Sequence, residues 1–286
     1  MSFQVDTAFV KNYSSTLYHL VQQKGSRLRT AVRQEILNGE ENYFDQIGST
    51  DALEKLARHG DSPAISIPHT RRRVFQRDFE WGDLIDKNDK IRLLIDPASS
   101  YLQSAMWSLG RRIDDVLIDA ALGTAYTGKN GTISVPLPLT QKIPVNASGL
   151  TLQKLFDAKE RLDAADVDPD EPRYIAVTAK QITNLLNTTE VKSSDYNTVR
   201  ALVQGQIDSY MGFKFITTQR LAKDINGDRQ IIAWAQNGLL LAIGQDIQGQ
   251  VASRPDKSFS TYVYACLSCG ATRMEEQKII EIACKE

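Results

Sequence analysis

The sequence predicts an α+β fold, and three observations carry that expectation. One long run has the apolar spacing of an amphipathic helix, the stretch after it alternates helix and strand patterns, and the chain beyond Ile247 reads almost wholly as strand. With 286 residues, 42% apolar and 24% charged side chains, the chain can bury a sizeable core, which excludes disorder, a collagen-like rod and a disulfide miniprotein.

The elements follow in order. Tyr13, Leu17, Leu20 and Val21 are spaced as on one helix face, so a first helix is expected over residues 13–23. Leu28, Thr30 and Val32 then alternate as in an extended segment. Residues 38–80 hold few core-grade apolar side chains and the breakers Gly60, Pro63 and Pro68, and end in a strand-like run from Arg73 to Phe79. A stretch of about 40 residues that cannot bury itself is unusual in a compact domain, so its partner is expected on a neighbouring subunit.

The strongest element begins at Asp96-Pro97, an N-cap acceptor followed by proline at the first helical position. Leu102, Met106, Leu109, Ile113, Val116, Leu117 and Ala120 recur in steps of three and four, and Gly123 stops the run. The roughly 26 residues span about 39 Å, with Arg111, Arg112, Asp114 and Asp115 expected on the polar side. Thr127-Gly128-Lys129-Asn130-Gly131-Thr132 is a hairpin signal. A helix is expected from Thr151, carried by Leu152, Leu155, Phe156 and Leu162, then a buried strand over residues 173–178 leading into a helix through Asn187. Residues 199–211 read as helix, and residues 213–217 and 230–234 as strands around the turn Asp224-Ile225-Asn226-Gly227-Asp228. Two closing strands, residues 260–266 and 278–284, flank Gly270-Ala271-Thr272-Arg273-Met274.

Thirty-four Lys and Arg balance 35 Asp and Glu, so electrostatics must act locally. Between Asp6 and Glu35 the only charges are Lys11, Lys24, Arg27, Arg29 and Arg33, a basic arm. Arg58, Arg71, Arg72, Arg73 and Arg77 form a second basic concentration. Asp157, Glu160, Asp163, Asp166, Asp168, Asp170 and Glu171 form an acidic one. Such blocks are either solvated faces, complementary patches between copies of one chain, or surfaces for a polyanion.

Chemistry of the enzymatic kind finds little footing. His19, His59 and His69 lie in the least core-like quarter. Cys266 and Cys269 have redox or zinc spacing, but they sit in a β-rich run that turns them to opposite faces, so packing thiols are expected. Asp166-Val167-Asp168-Pro169-Asp170 imitates a calcium loop but has Glu171 where glycine is needed and Val177 where the bidentate acid belongs. Neither a phosphate-binding loop nor a dinucleotide fingerprint occurs. No catalytic residue, cofactor or metal is expected. The longest apolar stretch, Gly238 to Gly244, falls far short of the roughly 20 residues of a membrane span, and the N-terminus lacks the layout of a secretory signal, so a cytoplasmic protein is expected.

The order of parts resembles the major capsid proteins of tailed bacteriophages, which have the Hong Kong 97-type fold. The stretches that carry the resemblance are Lys24-Gly25-Ser26-Arg27-Leu28, Arg58-His59-Gly60-Asp61-Ser62-Pro63 and Pro68-His69-Thr70-Arg71-Arg72-Arg73-Val74. Leu84-Ile85-Asp86-Lys87, Leu94-Ile95-Asp96-Pro97 and Gly270-Ala271-Thr272-Arg273-Met274-Glu275-Glu276 with Ile279-Ile280-Glu281-Ile282 complete it. The resemblance implies an N-terminal arm over residues 1–38, an extended loop over 39–80, a peripheral domain of 81–150 and 248–286 holding the long spine helix, and an axial domain over 151–247. It also implies hexamers and pentamers of one chain, an icosahedral head around double-stranded DNA, assembly in the host bacterial cytoplasm, a portal, a separate scaffolding protein and a possible cement protein. Arg58, Arg71, Arg72, Arg73, Arg77, Asp114, Asp115, Asp157, Glu160 and Asp163 are then candidates for contacts between subunits. The arm residues Lys11, Lys24, Arg27, Arg29 and Arg33 face DNA, without sequence specificity, or a neighbour. A bacterial nanocompartment shell and a cytoplasmic α/β enzyme are the alternatives.

Overall fold

The computed structural model of the chain describes residues 19–55, 64–86, 98–187 and 209–286. The described residues hold fourteen strands and three α-helices. Strands β1 (Arg33–Ile36), β2 (Glu41–Ile47), β3 (His69–Phe75) and β4 (Arg77–Ile85) precede helix α1 (Ala98–Leu122). Next come β5 (Ala125–Thr127), β6 (Ile133–Val135), β7 (Lys142–Ile143), α2 (Leu152–Ala164), β8 (Arg173–Val177) and α3 (Ala179–Leu186). The chain closes with β9 (Ser209–Tyr210), β10 (Phe213–Thr217), β11 (Arg229–Ala235), β12 (Leu239–Arg254), β13 (Ser260–Arg273) and β14 (Ile279–Cys284). They form three sheets ordered β1-β12-β13-β4, β7-β14-β11-β8-β10-β9 and β2-β3-β5-β6.

The described residues divide into two compact units. The first draws on Met1–Ser26, Asp78–Arg111 and Gln245–Leu267; the second on Arg27–Arg77, Arg112–Gly244 and Ser268–Glu286. Helix α1 and strands β4, β12 and β13 contribute residues to both.

In the first unit, Ile85 and Val263 pack with Trp81 and Leu102. The arm lies on α1 there. His19 meets the Trp107 ring edge-on at 4.7 Å, and Arg111 donates to the Gln22 side chain at 3.0 Å and the Gln23 carbonyl at 2.9 Å. Gly110, in mid-helix, leaves room for Gly25, because a Cβ at position 110 would stand 2.6 Å from the Gly25 Cα. Gly25 itself has φ +77, a left-handed conformation suited to glycine. Residues 19–23 are not helical, so the end of the helix expected over 13–23 is instead a coil held by α1. The start of that helix lies outside the described residues.

The second unit holds most of the core. Leu37, Val74, Leu240, Ala242 and Met274 are buried together with Phe44 against them. The expected loop over 39–80 therefore does bury part of itself, since Val74 is 1% exposed and β2 pairs with β3 over seven residues. Arg29–Ala31 form a short 3-10 turn in place of the expected alternation, and β1 then runs parallel to β12. In the six-stranded sheet β8 lies between β10, parallel, and β11, antiparallel. Leu155, Ala158 and Leu162 of α2 are wholly buried; the helix starts after Thr151, where it was expected, and the Thr151 side chain caps it. Thr178 and Gln181 form a capping box that starts α3. Asp224 accepts from the amides of Asn226 and Asp228 at 2.8 and 2.9 Å, which fixes the turn foreseen there. The hairpin over 127–132 is present, with Gly128 and Gly131 at φ 94 and 60.

Helix α1 ends at Leu122 as expected, and its expected start at Asp96-Pro97 lies outside the described residues, but its faces differ from expectation. Asp114 is 0% exposed and Met106 is 41% exposed, the reverse of their assignment. The buried stripe of its second half runs through Ile113, Val116, Leu117 and Ala121, and Asp114, one residue after Ile113 and three before Leu117, sits on its flank. Its carboxylate accepts the backbone N–H groups of Arg27 and Leu28, each at 3.1 Å. At the far end Arg273, fully buried, donates to the Ala121 carbonyl at 2.9 Å and the Gly123 carbonyl at 2.7 Å, satisfying groups that a helix C-terminus leaves open. Residues 270–273 belong to β13 rather than to a break between strands. Gly270 is required because a Cβ there would lie 2.1 Å from the Phe75 carbonyl. The helix expected over 199–211 lies outside the described residues up to 208, and Ser209–Tyr210 is a short strand.

Two outcomes follow for stability. Replacing a mid-helix glycine by alanine ordinarily gains about 1 kcal/mol, but Gly110→Ala is expected to lose about 1–3 kcal/mol by overpacking against Gly25, read as a lower urea midpoint. At the C-terminus burial raises the Glu286 pKa, yet hydrogen bonds from Arg229, Lys223 and Thr178 outweigh it and hold that side chain at about 2. A carboxyl lowered by folding adds stability above its usual range and loses it as pH falls from its ordinary value of 4.5 towards about 2. Glu286→Gln is expected to flatten the melting temperature's dependence on pH across that window.

Candidate assembly surfaces

The β2–β3 register sets opposite each other Glu41 and Phe75, Tyr43 and Arg73, Asp45 and Arg71, and Ile47 and His69. Strand alternation places these eight on one face and puts Arg72 with Val74, Phe44 and Gln46 on the other. On the first face Arg71 pairs with Asp45 at 3.0 Å and stands 5.8 Å from the Tyr43 ring centre. Arg73 pairs with Glu41 and stacks 4.0 Å over the Phe75 ring. On the second face Arg72, 8% exposed, donates to the Met274 carbonyl and to Glu276, both at 2.8 Å.

Within the chain these contacts give each of the three arginines an acid partner, with Arg71 and Arg73 on the outward face and Arg72 on the inward one. Glu41, Asp45 and Glu276 already supply the acids, and Arg72 is withdrawn from the surface. The signal was available, since alternation from a buried Val74 turns Arg72 inward and its two neighbours outward.

Asp114 is likewise removed from any outer face, as its burial under the arm requires. Asp115 pairs with Arg220 and, at 3.3 Å, with Arg112. Hydrogen bonding to Asp115, set against partial burial, leaves the Arg220 pKa above its ordinary value. Arg77 lies 3.8 Å from Asp119. Asp157 accepts from Gln153 at 2.8 Å, Asp163 pairs with Arg173 at 2.6 Å, and Glu160 is exposed on α2 beside Phe156. The arm residues are also engaged within the chain. Lys24 stands 5.4 Å from the Trp107 ring centre, Arg27 donates to the Thr217 carbonyl, Arg29 reaches Gln34 at 3.3 Å and Arg33 pairs with Glu35 at 2.6 Å. Arg58 and Lys11 lie outside the described residues.

Where the charges are satisfied, the exposed apolar side chains stand out. Ile47, Leu53, Ile65 and Ile67 are 69%, 65%, 44% and 44% exposed along the outer part of the hairpin. Phe75 and Tyr126 meet edge-on at 5.8 Å on its outward face. Ile225 projects from the rigid turn between β10 and β11, and Leu139 from a 3-10 turn before β7. Clustered exposed apolar surface marks contact sites.

Cys266, Cys269 and Cys284 carry no disulfide, and burial pushes the Cys284 thiol up to about 11, so it stays protonated. Among the described residues no group of three metal-ligating side chains occurs.

A family model described as phage capsid protein matches residues 5–286. No curated protein matches the chain. Among solved structures, the capsid of the cyanophage P-SCSP1u aligns over 100% of this chain and 96% of its own at 15% identity and a TM-score of 0.78. The capsid of Ralstonia phage GP4 aligns over 100% and 98% at 11% identity and a TM-score of 0.74. The head of Helicobacter pylori bacteriophage KHP40 aligns over 99% and 98% at 9% identity and a TM-score of 0.74. At such identities the likeness is one of fold, and it extends over the whole length of both chains.

The two kinds of arginine separate by mutation. Arg72→Ala leaves Glu276 paired with Arg273 at 3.7 Å but takes the buried donor from the Met274 carbonyl, and is expected to cost about 1–3 kcal/mol. Arg71→Ala removes an exposed pair and is expected to cost about 1 kcal/mol or less. Urea unfolding of both variants checks the difference, and equal losses would contradict the assigned faces.

Proposed function

The chain belongs to the phage capsid protein family and is a major capsid protein; from that premise we propose that it assembles as pentamers and hexamers into an icosahedral head enclosing the double-stranded DNA genome of a tailed phage. The observation that carries this reading is the family match over residues 5–286, joined to capsid folds that align end to end. Residues 1–38 serve as the arm, 39–80 as the loop over a neighbour, 81–150 with 248–286 as the peripheral domain and 151–247 as the axial domain. Assembly takes place in the host bacterial cytoplasm with a portal and a separate scaffolding protein. Packaged DNA lies against the inner face without sequence specificity.

The forces we assign to assembly differ from those the charge pattern suggested. With Arg71, Arg72 and Arg73 paired internally, apolar residues of the hairpin supply the contact energy, and charges set its register. Modest energy per contact suffices, because each subunit of a closed shell is held by several neighbours at once. Among the described residues no helix is long and apolar enough to cross a membrane.

Negative-stain microscopy of the expressed protein tests the reading. Closed polyhedral shells are the expected outcome; a small soluble oligomer alone, with scaffolding protein supplied, would contradict it.

A further inference from the structure

An open cleft of about 840 Å³ lies beside the outer end of the β2–β3 hairpin, lined by Ile47, His69, Arg71, Lys129 and Ile133 among others. Its wall is mainly apolar, with Ile47 and Ile133 at 69% and 58% exposure. Its charge is cationic on balance, since Arg71 has Asp45 for a partner while Lys129 stands exposed in the β5–β6 turn. The same chain carries a segment of the opposite character. Asp51, Leu53, Glu54 and Lys55 are all exposed, an apolar side chain between two acids with one lysine after them, so the segment is net negative. Leu53 remains 65% exposed while the cleft stays open, so the segment does not fill the cleft of its own chain.

We propose that this cleft receives residues 51–54 of a second copy, with Leu53 seated between Ile47 and Ile133 and the acids Asp51 and Glu54 facing Lys129. The inference rests on the shell reading above and gives that contact its receptor. The two surfaces are different patches of one molecule, so the contact is head-to-tail. Such contacts repeat from copy to copy and close into rings when the rotation allows, which a capsomer requires; a two-fold contact would stop at a pair. Apolar burial supplies the attraction and the acid-to-lysine pairing fixes which way the segment enters.

A cysteine pair tests it in assembled particles. Shells of Leu53→Cys/Ile133→Cys, oxidised gently, are expected to give a ladder of covalent multimers on a non-reducing gel, absent from either single variant. Shells that yield only monomers overturn the cleft assignment and leave the shell reading intact, whereas absence of shells from the unaltered chain overturns the shell reading itself. If the cysteine pair blocks assembly, charge exchange decides. Lys129→Glu and Glu54→Lys are each expected to slow assembly about tenfold and their combination to restore it; a combined variant no faster than the singles overturns the inference.

Discussion

The placement of the arm depends on one buried carboxylate. Asp114 has no exposed surface and accepts the amides of both Arg27 and Leu28, and a carboxylate so placed is tolerable only while those donors stay in reach. Trp107, Gly110, Arg111 and Asp114 follow one another at helical spacing of three, one and three, which lines them along one side of α1. Each receives a piece of the chain between His19 and Leu28: an aromatic edge, a glycine backbone, a carbonyl and two amides. From Leu28 onward the chain enters the core, where Ala31 and Val32 are buried and the Trp234 indole donates to the Ala31 carbonyl at 2.8 Å.

A wider rule of construction follows from the same preference for internal pairing. Arg72, Arg273 and Lys154 are buried cations, and each directs donors to carbonyls or an acid of its own chain, although Nη1 of Arg72 and Nε of Arg273 are buried without a hydrogen-bond partner. Lys154 alone reaches the carbonyls of Val145, Ser148 and Ala283, at 2.8, 3.0 and 2.8 Å, tying the entry of α2 to the last strand. Burial lowers its pKa, with Cys284 and Asp228 opposing. A subunit whose charges are settled internally keeps its shape when brought against copies of itself, and the apolar side chains left outside provide the adhesion.

Much of this was legible in the sequence where the signal is local. The end of α1 at Leu122, the start of α2 after Thr151, the strand over 173–177, the glycine turns at 128 and 131 and the Asp224 turn each follow from spacing or from the chemistry of one turn. What escaped was the use of charge. Asp114 and Arg72 look like surface residues in composition, but each stands beside an apolar position of its own element, and its burial depends on partners 86 and 202 residues away. Gly270 is of the same kind, since its need for a bare backbone is set by Phe75 and not by any neighbouring turn. The resemblance to capsid proteins supplied the architecture; the pairing of buried charges had to come from the fold.

The central claim, that Asp114 holds the arm on α1, is tested most directly by native-state hydrogen exchange at the Arg27 and Leu28 amides. Protection of both comparable to that of the α1 core, falling to that of exposed chain in Asp114→Ala while the β8 and β11 amides keep theirs, is the predicted result. Exchange at the exposed-chain rate in the unaltered protein would contradict it.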